Sequence, residues 1–198
     1  MNNIPCIEIE SANGVREETL STRHLMNRKI FLTGEINDEL ANSFLSQFLF
    51  LEEEPDLPVT IYINSPGGQV SAGLLIYDTI KASRIPVNMV CTGMAASMAA
   101  IIFAGGQKGR RYILEHGRVL IHEPMIQSGI GGSATSIRTI SESILETRRV
   151  LNGILSEHTG KTIEEIDRAT TFDNYMTAEE AIEFGICDQI TDRIAISA

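Results

Sequence analysis

The stretch that decides the fold runs Val87-Asn88-Met89-Val90-Cys91-Thr92-Gly93-Met94-Ala95-Ala96-Ser97-Met98. Its first half favours a buried strand, Gly93 predicts a sharp turn, and the small residues that follow predict a helix that begins near Ser97. No charged residue lies between Pro86 and Gln107, so length alone would suit a membrane-spanning helix. The glycines, polar residues and alanines of this range instead indicate a buried strand followed by a buried helix.

Outward from this unit, predicted strands and helices alternate along the chain. We predict strands at residues 29–34, 59–64, 87–92, 111–114, 118–122 and 186–190. We predict helices at residues 36–50, 70–83, from about 97, at 133–158, and after capping boxes at Thr162–Glu165 and Thr177–Glu180. This repeat predicts an α/β fold with a largely parallel sheet and right-handed crossovers.

The chain length of 198 residues is typical of one domain. We expect residues 1–28 to form a partly flexible N-terminal segment, with a turn at Ser11-Ala12-Asn13-Gly14 and a short strand or helix, and residues 29–198 to form a single domain. The glycine-rich segment from Gly129 to Gly132 is expected to be extended and mobile.

Composition excludes several classes of function. The formal charge is −10 with scattered basic residues, whereas a nucleic-acid surface needs clustered Lys and Arg. The three cysteines are far apart and form no CxxC pair, which indicates reduced thiols and no metal site. The first residues lack the features of a signal peptide. We therefore expect a cytoplasmic protein that binds neither nucleic acid nor membrane.

Ser97 is the candidate nucleophile. It follows a strand and a turn and opens a helix, where backbone amides are unpaired and an anion is favoured. A serine hydroxyl becomes nucleophilic when a base takes its proton. The alternative is a serine that caps its helix, which is the commonest use of such a position.

Paired glycines after another strand predict an anion-binding loop. Gly67-Gly68 follows the run Val59 to Asn64, and glycines let backbone amides approach a ligand. Together with the Met98 amide, such an amide could hold the oxyanion of a tetrahedral intermediate. The alternative is an ordinary turn at Pro66-Gly67.

His122 is the candidate base, because among the four histidines it alone ends an apolar strand. Such a base needs an acid that fixes its tautomer and stabilises its charged form. Spacing does not choose among the seven aspartates, which are Asp38, Asp56, Asp78, Asp167, Asp173, Asp188 and Asp192. Asp173 lies in a loop between two short predicted helices, a place that often carries function.

The long helix predicted at 133–158 is amphipathic, with an apolar stripe that includes Ile137, Ile144 and Leu151. A helix that projects from a compact domain needs a partner for such a stripe. Either a second copy of the chain or the helix's own sheet can supply it, and the sequence leaves both open.

Seven motifs together resemble the ClpP family of serine peptidases. They occur in family order from about residue 28 to 191: Phe31-Leu32-Thr33-Gly34, Tyr62 to Gly68, Tyr77-Asp78-Thr79, Gly93 to Ala99, Ile121-His122-Glu123-Pro124, His158-Thr159-Gly160 and Met176 to Ala181. The resemblance implies a crotonase-like β-α superhelix with Ser97 as nucleophile, His122 as base and Asp173 as acid. The amides of Gly68 and Met98 would form the oxyanion hole, and no metal is implied.

The resemblance also implies an assembly. The helix at 133–158 would be the projecting handle that joins two stacked seven-membered rings around a closed chamber, and residues 1–28 would line an axial pore. This chain would bind no cofactor, while a hexameric AAA+ unfoldase of the Clp type would hydrolyse ATP and deliver unfolded polypeptide.

Three places depart from the family pattern. Phe172 stands where arginine is common, the segment after His122 is slightly longer and reads Ser-Ala-Thr-Ser, and Glu17 to Arg23 replaces a tyrosine-containing segment. These departures suggest a divergent paralogue that works in mixed rings.

Three hypotheses follow. The first is a serine endopeptidase subunit of an ATP-dependent protease. The second is a scaffold subunit whose Ser97, His122 and Asp173 are present but misaligned. The third is a crotonase-type acyl-CoA enzyme, since that fold also surrounds an oxyanion with glycine amides.

Overall fold

The computed structural model of the chain describes residues 5–11, 14–126 and 131–196. Two residues of the predicted turn at 11–14, and Gly129 and Ile130 of the predicted extended segment, lie outside these ranges.

From residue 29 onward, strands and helices follow the predicted order apart from one added strand, whereas the described part of the N-terminal segment forms two strands and a helix where one short strand or helix was expected. The strands are β1 Cys6–Ser11, β2 Gly14–Thr19, β3 Lys29–Thr33, β4 Val59–Ser65, β5 Val87–Ala96, β6 Arg111–Leu114, β7 Arg118–Ile121, β8 Asn174–Met176 and β9 Gln189–Thr191. The helices are α1 Leu20–Met26, α2 Asp38–Leu51, α3 Val70–Ala82, α4 Met98–Ala104, α5 Ala134–Thr159, α6 Ile163–Thr170 and α7 Ala178–Phe184.

The main sheet is largely parallel, as predicted. Its strand order is β3-β4-β5-β6-β9, and every neighbouring pair along this path is parallel. The long strand β5 pairs with β6 through Met89–Cys91 and with β7 through Met94–Ala96. Strand β8, which was not predicted, pairs antiparallel with β7. The ends of β5 and β7 therefore meet at one place.

The turn predicted at Gly93 is wrong, because β5 continues through it to Ala96. Asn64 explains the difference. Its Oδ1 accepts a hydrogen bond from the Met94 amide at 3.1 Å, and a Cβ at Gly93 would lie 2.5 Å from the same oxygen. The glycine thus makes room for a side chain that keeps the strand extended, and the chain turns at Ser97 instead.

The last strand was predicted at 186–190 and is observed at Gln189–Thr191. Gly185 ends α7 in the left-handed conformation, and the amides of Ile186 and Cys187 then donate to the Ala181 carbonyl. These amides belong to the helix end, so the strand begins later. Both predicted capping boxes, Thr162 with Glu165 and Thr177 with Glu180, are confirmed.

Helix α4 lies at the centre of the core, and all seven of its residues are buried. It packs against α3, α5 and β5. This burial accounts for the uncharged stretch in the sequence, since a charged side chain here would need a buried partner. No helix among residues 5–11, 14–126 and 131–196 is both long and apolar enough to cross a membrane.

Helix α5 spans 26 residues, close to its predicted range, and ends at Gly160 in the left-handed conformation. Its buried residues, Leu151, Asn152 and Leu155, lie in the second half, which packs against α4 and α6. Earlier apolar residues stay exposed, with Ile137 at 44% and Leu145 at 53%. The chain's own core therefore covers only part of the apolar stripe.

Candidate active site

Ser97 joins β5 to α4 in an unusual backbone conformation. Its φ is 53° and its ψ is −122°, a region that costs a non-glycine residue about 1–3 kcal/mol. The Ser97 amide donates to the Leu120 carbonyl of β7 at 2.8 Å, which holds the turn in place. The hydroxyl makes no capping bond to α4, so the helix-capping alternative is wrong.

The loop of Gly67 and Gly68 packs directly against this turn. Gly67 has a φ of +91°, and a Cβ there would lie 2.7 Å from the Ser97 Cβ and 3.0 Å from the Met98 nitrogen. The buried Ser65 hydroxyl accepts a bond from the Gly67 amide at 3.1 Å. At Gly68, with a φ of +152°, a Cβ would lie 2.1 Å from the Ile36 carbonyl oxygen, so close approach and positive φ require glycine at both positions.

The amides of Gly68 and Met98 are the two predicted oxyanion donors. Neither N–H has a hydrogen-bond partner within the part of the chain that the structure describes. The residues on either side of Gly68 bond to Ile36. The Ile36 amide donates to the Gly67 carbonyl and the Gln69 amide donates to the Ile36 carbonyl, each at 2.8 Å. These two bonds form a parallel bridge between Ile36 and Gly68.

Substituting Gly67→Ala is expected to lower the free energy of unfolding by about 2–4 kcal/mol, because a collision with backbone adds to the cost of positive φ. Urea unfolding measures the change. Gly153→Ala, in α5 with nothing within 4 Å of the added Cβ, is the matched control and should stabilise by about 0.5–1 kcal/mol. Equal stability of the two variants would contradict the predicted contact.

His122 lies one residue beyond β7 and is half-buried. Its Nδ1 is 2.6 Å from the carbonyl oxygen of Glu123. A carbonyl oxygen only accepts, so this bond requires the proton on Nδ1. In the neutral ring Nε2 then carries the lone pair, which is the tautomer that a general base needs. Among the described residues, no hydrogen bond joins His122 to Ser97 or to Asp173.

Asp173 is exposed and lies just before β8. The antiparallel register pairs Ile121 with Asn174. Continued by one position, this register places His122, which follows β7, opposite Asp173, which precedes β8. The Glu123 amide also donates to the Thr170 carbonyl at 2.8 Å, which ties the two segments together. The register thus brings Asp173 towards His122 without a direct bond between them.

Ser97, His122, Gly68 and Met98 line one cleft of about 200 Å³. Its remaining walls are mostly apolar: Pro66, Val70, Ile101, Ile121, Pro124, Met125 and Leu151. The cleft therefore combines one hydroxyl, one imidazole and free amides with an apolar surface. Asp173 is not among the lining residues.

The family model for Clp protease matches residues 12–194, which is nearly the whole chain. The chain belongs to the Clp protease family. This membership agrees with the mixed α/β architecture and its central parallel sheet.

Sequence reasoning missed three residues of this Clp protease that contact the segments around the cleft. Asn64 and Ser65 position β5 and the glycine loop through their side chains. Arg148 of α5 lies 3.5 Å from carboxylate oxygens of both Glu123 and Asp167. Asn64 and Ser65 belong to a motif that could have identified them, whereas nothing in the sequence separates Arg148 from the other charges of its helix.

His158 does not line the cleft. Its Nε2 lies 2.8 Å from the Tyr77 hydroxyl. Burial lowers the pKa of His158, with Lys81 adding to the effect and Glu157 opposing it. This histidine links the end of α5 to α3. No cluster of three or more His, Cys, Asp or Glu residues in the described ranges could hold a metal ion.

Proposed function

We propose that this chain is a serine endopeptidase subunit that cleaves unfolded polypeptide. The observation that carries the proposal is the strained Ser97, whose hydroxyl is unused by its own helix and shares a cleft with His122. Strained backbone of this kind is concentrated at functional sites. Family membership supports the same activity.

In the proposed reaction, Nε2 of His122 takes the proton of Ser97 as Oγ attacks the peptide carbonyl carbon. The amides of Gly68 and Met98 donate to the oxyanion of the tetrahedral intermediate, where each such donor contributes about 10²–10³ in rate. His122 then gives its proton to the leaving amine. Water, activated by the same imidazole, hydrolyses the acyl-enzyme.

Asp173 completes the proposed triad after a local rearrangement. In the structure the Glu123 carbonyl accepts the Nδ1 proton, and a carboxylate in that place would stabilise the imidazolium more strongly. Rotation of the ring towards Asp173, which the register places opposite, exchanges one acceptor for the other. Catalytic hydrogen bonds often tighten only when substrate binds.

The apolar walls of the cleft indicate the substrate. Val70, Ile101 and Met125 surround the space next to Ser97, so we propose an apolar side chain before the cleaved bond. Large apolar side chains of a folded protein are mostly buried, and unfolding exposes them. The proposal therefore includes an unfoldase of the AAA+ type that uses ATP and delivers unfolded chains.

The exposed apolar residues support assembly with further copies. Ile137 and Leu145 of α5 are exposed, and so is Phe172, at 81%. We propose that α5 is the handle that joins two stacked seven-membered rings around a chamber, either of this chain alone or mixed with a paralogue. Covering these side chains would stabilise such rings.

A fluorophosphonate probe tests the proposed activity, because it reacts with an activated serine. We expect labelling of Ser97 in the assembled protein, located by mass spectrometry, and cleavage of peptides with leucine or methionine before the scissile bond. Ser97→Ala should abolish both. Assembled rings without labelling, alone or with a paralogue, would overturn the proposal.

A scaffold subunit is the second candidate, since His122 is bonded to Glu123 and not to Ser97 or Asp173 among the described residues. Mixed rings separate the two candidates. If only mixed rings cleave peptide, and Ser97→Ala in this chain leaves their rate unchanged, the scaffold function is correct. A proportionate loss of rate supports the peptidase.

A further inference from the structure

Arg148 of α5 connects two acidic residues from different elements. Its Nη1 is 3.5 Å from Glu123 Oε2, and its Nη2 is 3.5 Å from Asp167 Oδ1. Asn152, one turn further along α5 and only 2% exposed, donates to the same Asp167 oxygen at 2.6 Å. One face of the long helix therefore holds both the segment after β7 and helix α6.

Each of these acidic residues belongs to a segment that bears a candidate catalytic group. Glu123 follows His122 and accepts its Nδ1 bond through the backbone. Asp167 lies in α6, whose last residue, Thr170, accepts the Glu123 amide. Asp173 follows three residues later. The guanidinium thus lies at the junction of the base-bearing and acid-bearing segments.

One N–H group of the Arg148 guanidinium makes no hydrogen bond to the rest of the described chain in this arrangement. Its Nε is buried and has no hydrogen-bond partner within the described residues. A buried donor without a partner is unfavourable, and arginine binds carboxylates best when two of its N–H groups donate side by side. A small shift of Glu123 or Asp167 towards Nε would satisfy that donor and move the attached segment with it.

We propose that Arg148 is a positioning residue that sets the separation of His122 and Asp173 by holding Glu123 and Asp167 together. This inference rests on the proposed peptidase function. Helix α5 also supplies Leu151 to the cleft wall. Since Arg148 contacts both acidic residues, we expect a displacement of this helix to move the segments that bear His122 and Asp173 together. Arg148 itself touches neither Ser97 nor the space for the substrate.

The test compares Arg148→Met with Arg149→Met in the assembled protein. Arg149 is the next residue of the same helix, and its ion pair, to Glu146, is exposed. We expect Arg148→Met to lower kcat by about 10–100-fold with little change in KM, since small misplacements of catalytic groups have effects of this size. Arg149→Met should match the unmodified chain in both constants.

A conservative variant separates positioning from a general structural role. Arg148→Lys keeps the positive charge but lacks a planar fork that can reach both carboxylates, so we expect it to restore only part of the lost kcat. Ring assembly, measured by native mass, should be unchanged in all three variants. If Arg148→Met disrupts assembly, the comparison is made on Arg148→Lys, whose kcat should still fall by at least several-fold.

The rate of fluorophosphonate labelling distinguishes failure of the peptidase function from failure of the proposed role of Arg148. Absence of labelling in the unmodified protein sinks the peptidase function itself. Labelling that is equally fast in the unmodified chain, Arg148→Lys and Arg148→Met overturns only the role of Arg148, as does a loss confined to KM. Slow labelling in Arg148→Met, a partial slowing in Arg148→Lys and normal labelling in Arg149→Met support it.

Discussion

Asp188→Ala is expected to lower the free energy of unfolding by about 3–5 kcal/mol, the effect of leaving a buried charge without its partner. Arg111 is 3% exposed, and its Nε and Nη2 donate to the two carboxylate oxygens of Asp188 at 3.0 and 2.6 Å. Its Nη1 donates to the carbonyls of Ala104 and Gly185, each at 3.0 Å. Without Asp188 the guanidinium keeps these carbonyls but loses its counter-charge.

Urea unfolding at constant protomer concentration measures this change, since assembly itself alters apparent stability. Glu142→Ala is the matched control, because its ion pair with Arg138 leaves both side chains more than half exposed. Pairs of that kind contribute at most about 1 kcal/mol. A loss for Asp188→Ala no greater than that for Glu142→Ala would show that the buried pair is not required.

The same pair predicts a pH dependence of stability. Burial by itself raises the pKa of Asp188, but hydrogen bonds from the Arg111 side chain and backbone, together with its charge, outweigh burial and hold this pKa below its ordinary value. A carboxyl group whose pKa is lowered by folding stabilises the protein above its unfolded pKa, and this contribution is lost as pH falls through the folded pKa. We therefore expect the free energy of unfolding to fall less for Asp188→Ala than for the unmodified chain when the pH is lowered from neutral to acid.

The order of elements was predictable because its signals are local. Apolar periodicity identified α2 and α5, and the boxes at Thr162 and Thr177 identified the starts of α6 and α7. Caps and periodicity depend on residues within a few positions of each other. The same local reasoning identified Ser97 and His122 as the ends of strands, and the structure places both in one cleft.

Two of the errors arose where a distant part of the chain decides the backbone. Asn64 keeps β5 extended past Gly93 from a neighbouring strand, and no signal within residues 87–98 reveals it. Strand β8 is three residues long and forms by pairing with β7, so its own sequence carries too little periodicity. A pairing partner far along the chain overrides local preference in both cases.

The contacts that position His122 could not be predicted from the sequence either. Its Nδ1 partner is the carbonyl of its own neighbour, and every residue carries such a carbonyl. Arg148 differs from Arg149 only in the side of α5 on which it lies. Which side faces α6 depends on how the helix packs, and the sequence left that packing open.

Removing the Ser97 hydroxyl should separate activity from stability. Ser97→Ala and Ser97→Gly both lack the nucleophile, so we expect each to lower kcat by about 10⁴-fold or more. Peptide cleavage by assembled rings of this chain measures that loss. Activity close to that of the unmodified chain in either variant would exclude Ser97 as the nucleophile.

The stability of the two variants should differ, because only glycine relieves the backbone at a φ of 53°. Relief of about 1–3 kcal/mol of strain exceeds the extra conformational entropy that glycine loses on folding, about 0.5–1 kcal/mol. We expect Ser97→Gly to raise the free energy of unfolding by about 1 kcal/mol, whereas Ser97→Ala keeps the Cβ and leaves it unchanged. Urea unfolding of the two inactive proteins isolates the backbone, since neither has the hydroxyl. If Ser97→Gly is no more stable than Ser97→Ala, the turn stores no strain, and the position of Ser97 must be attributed to its contacts with Leu120 and Gly67.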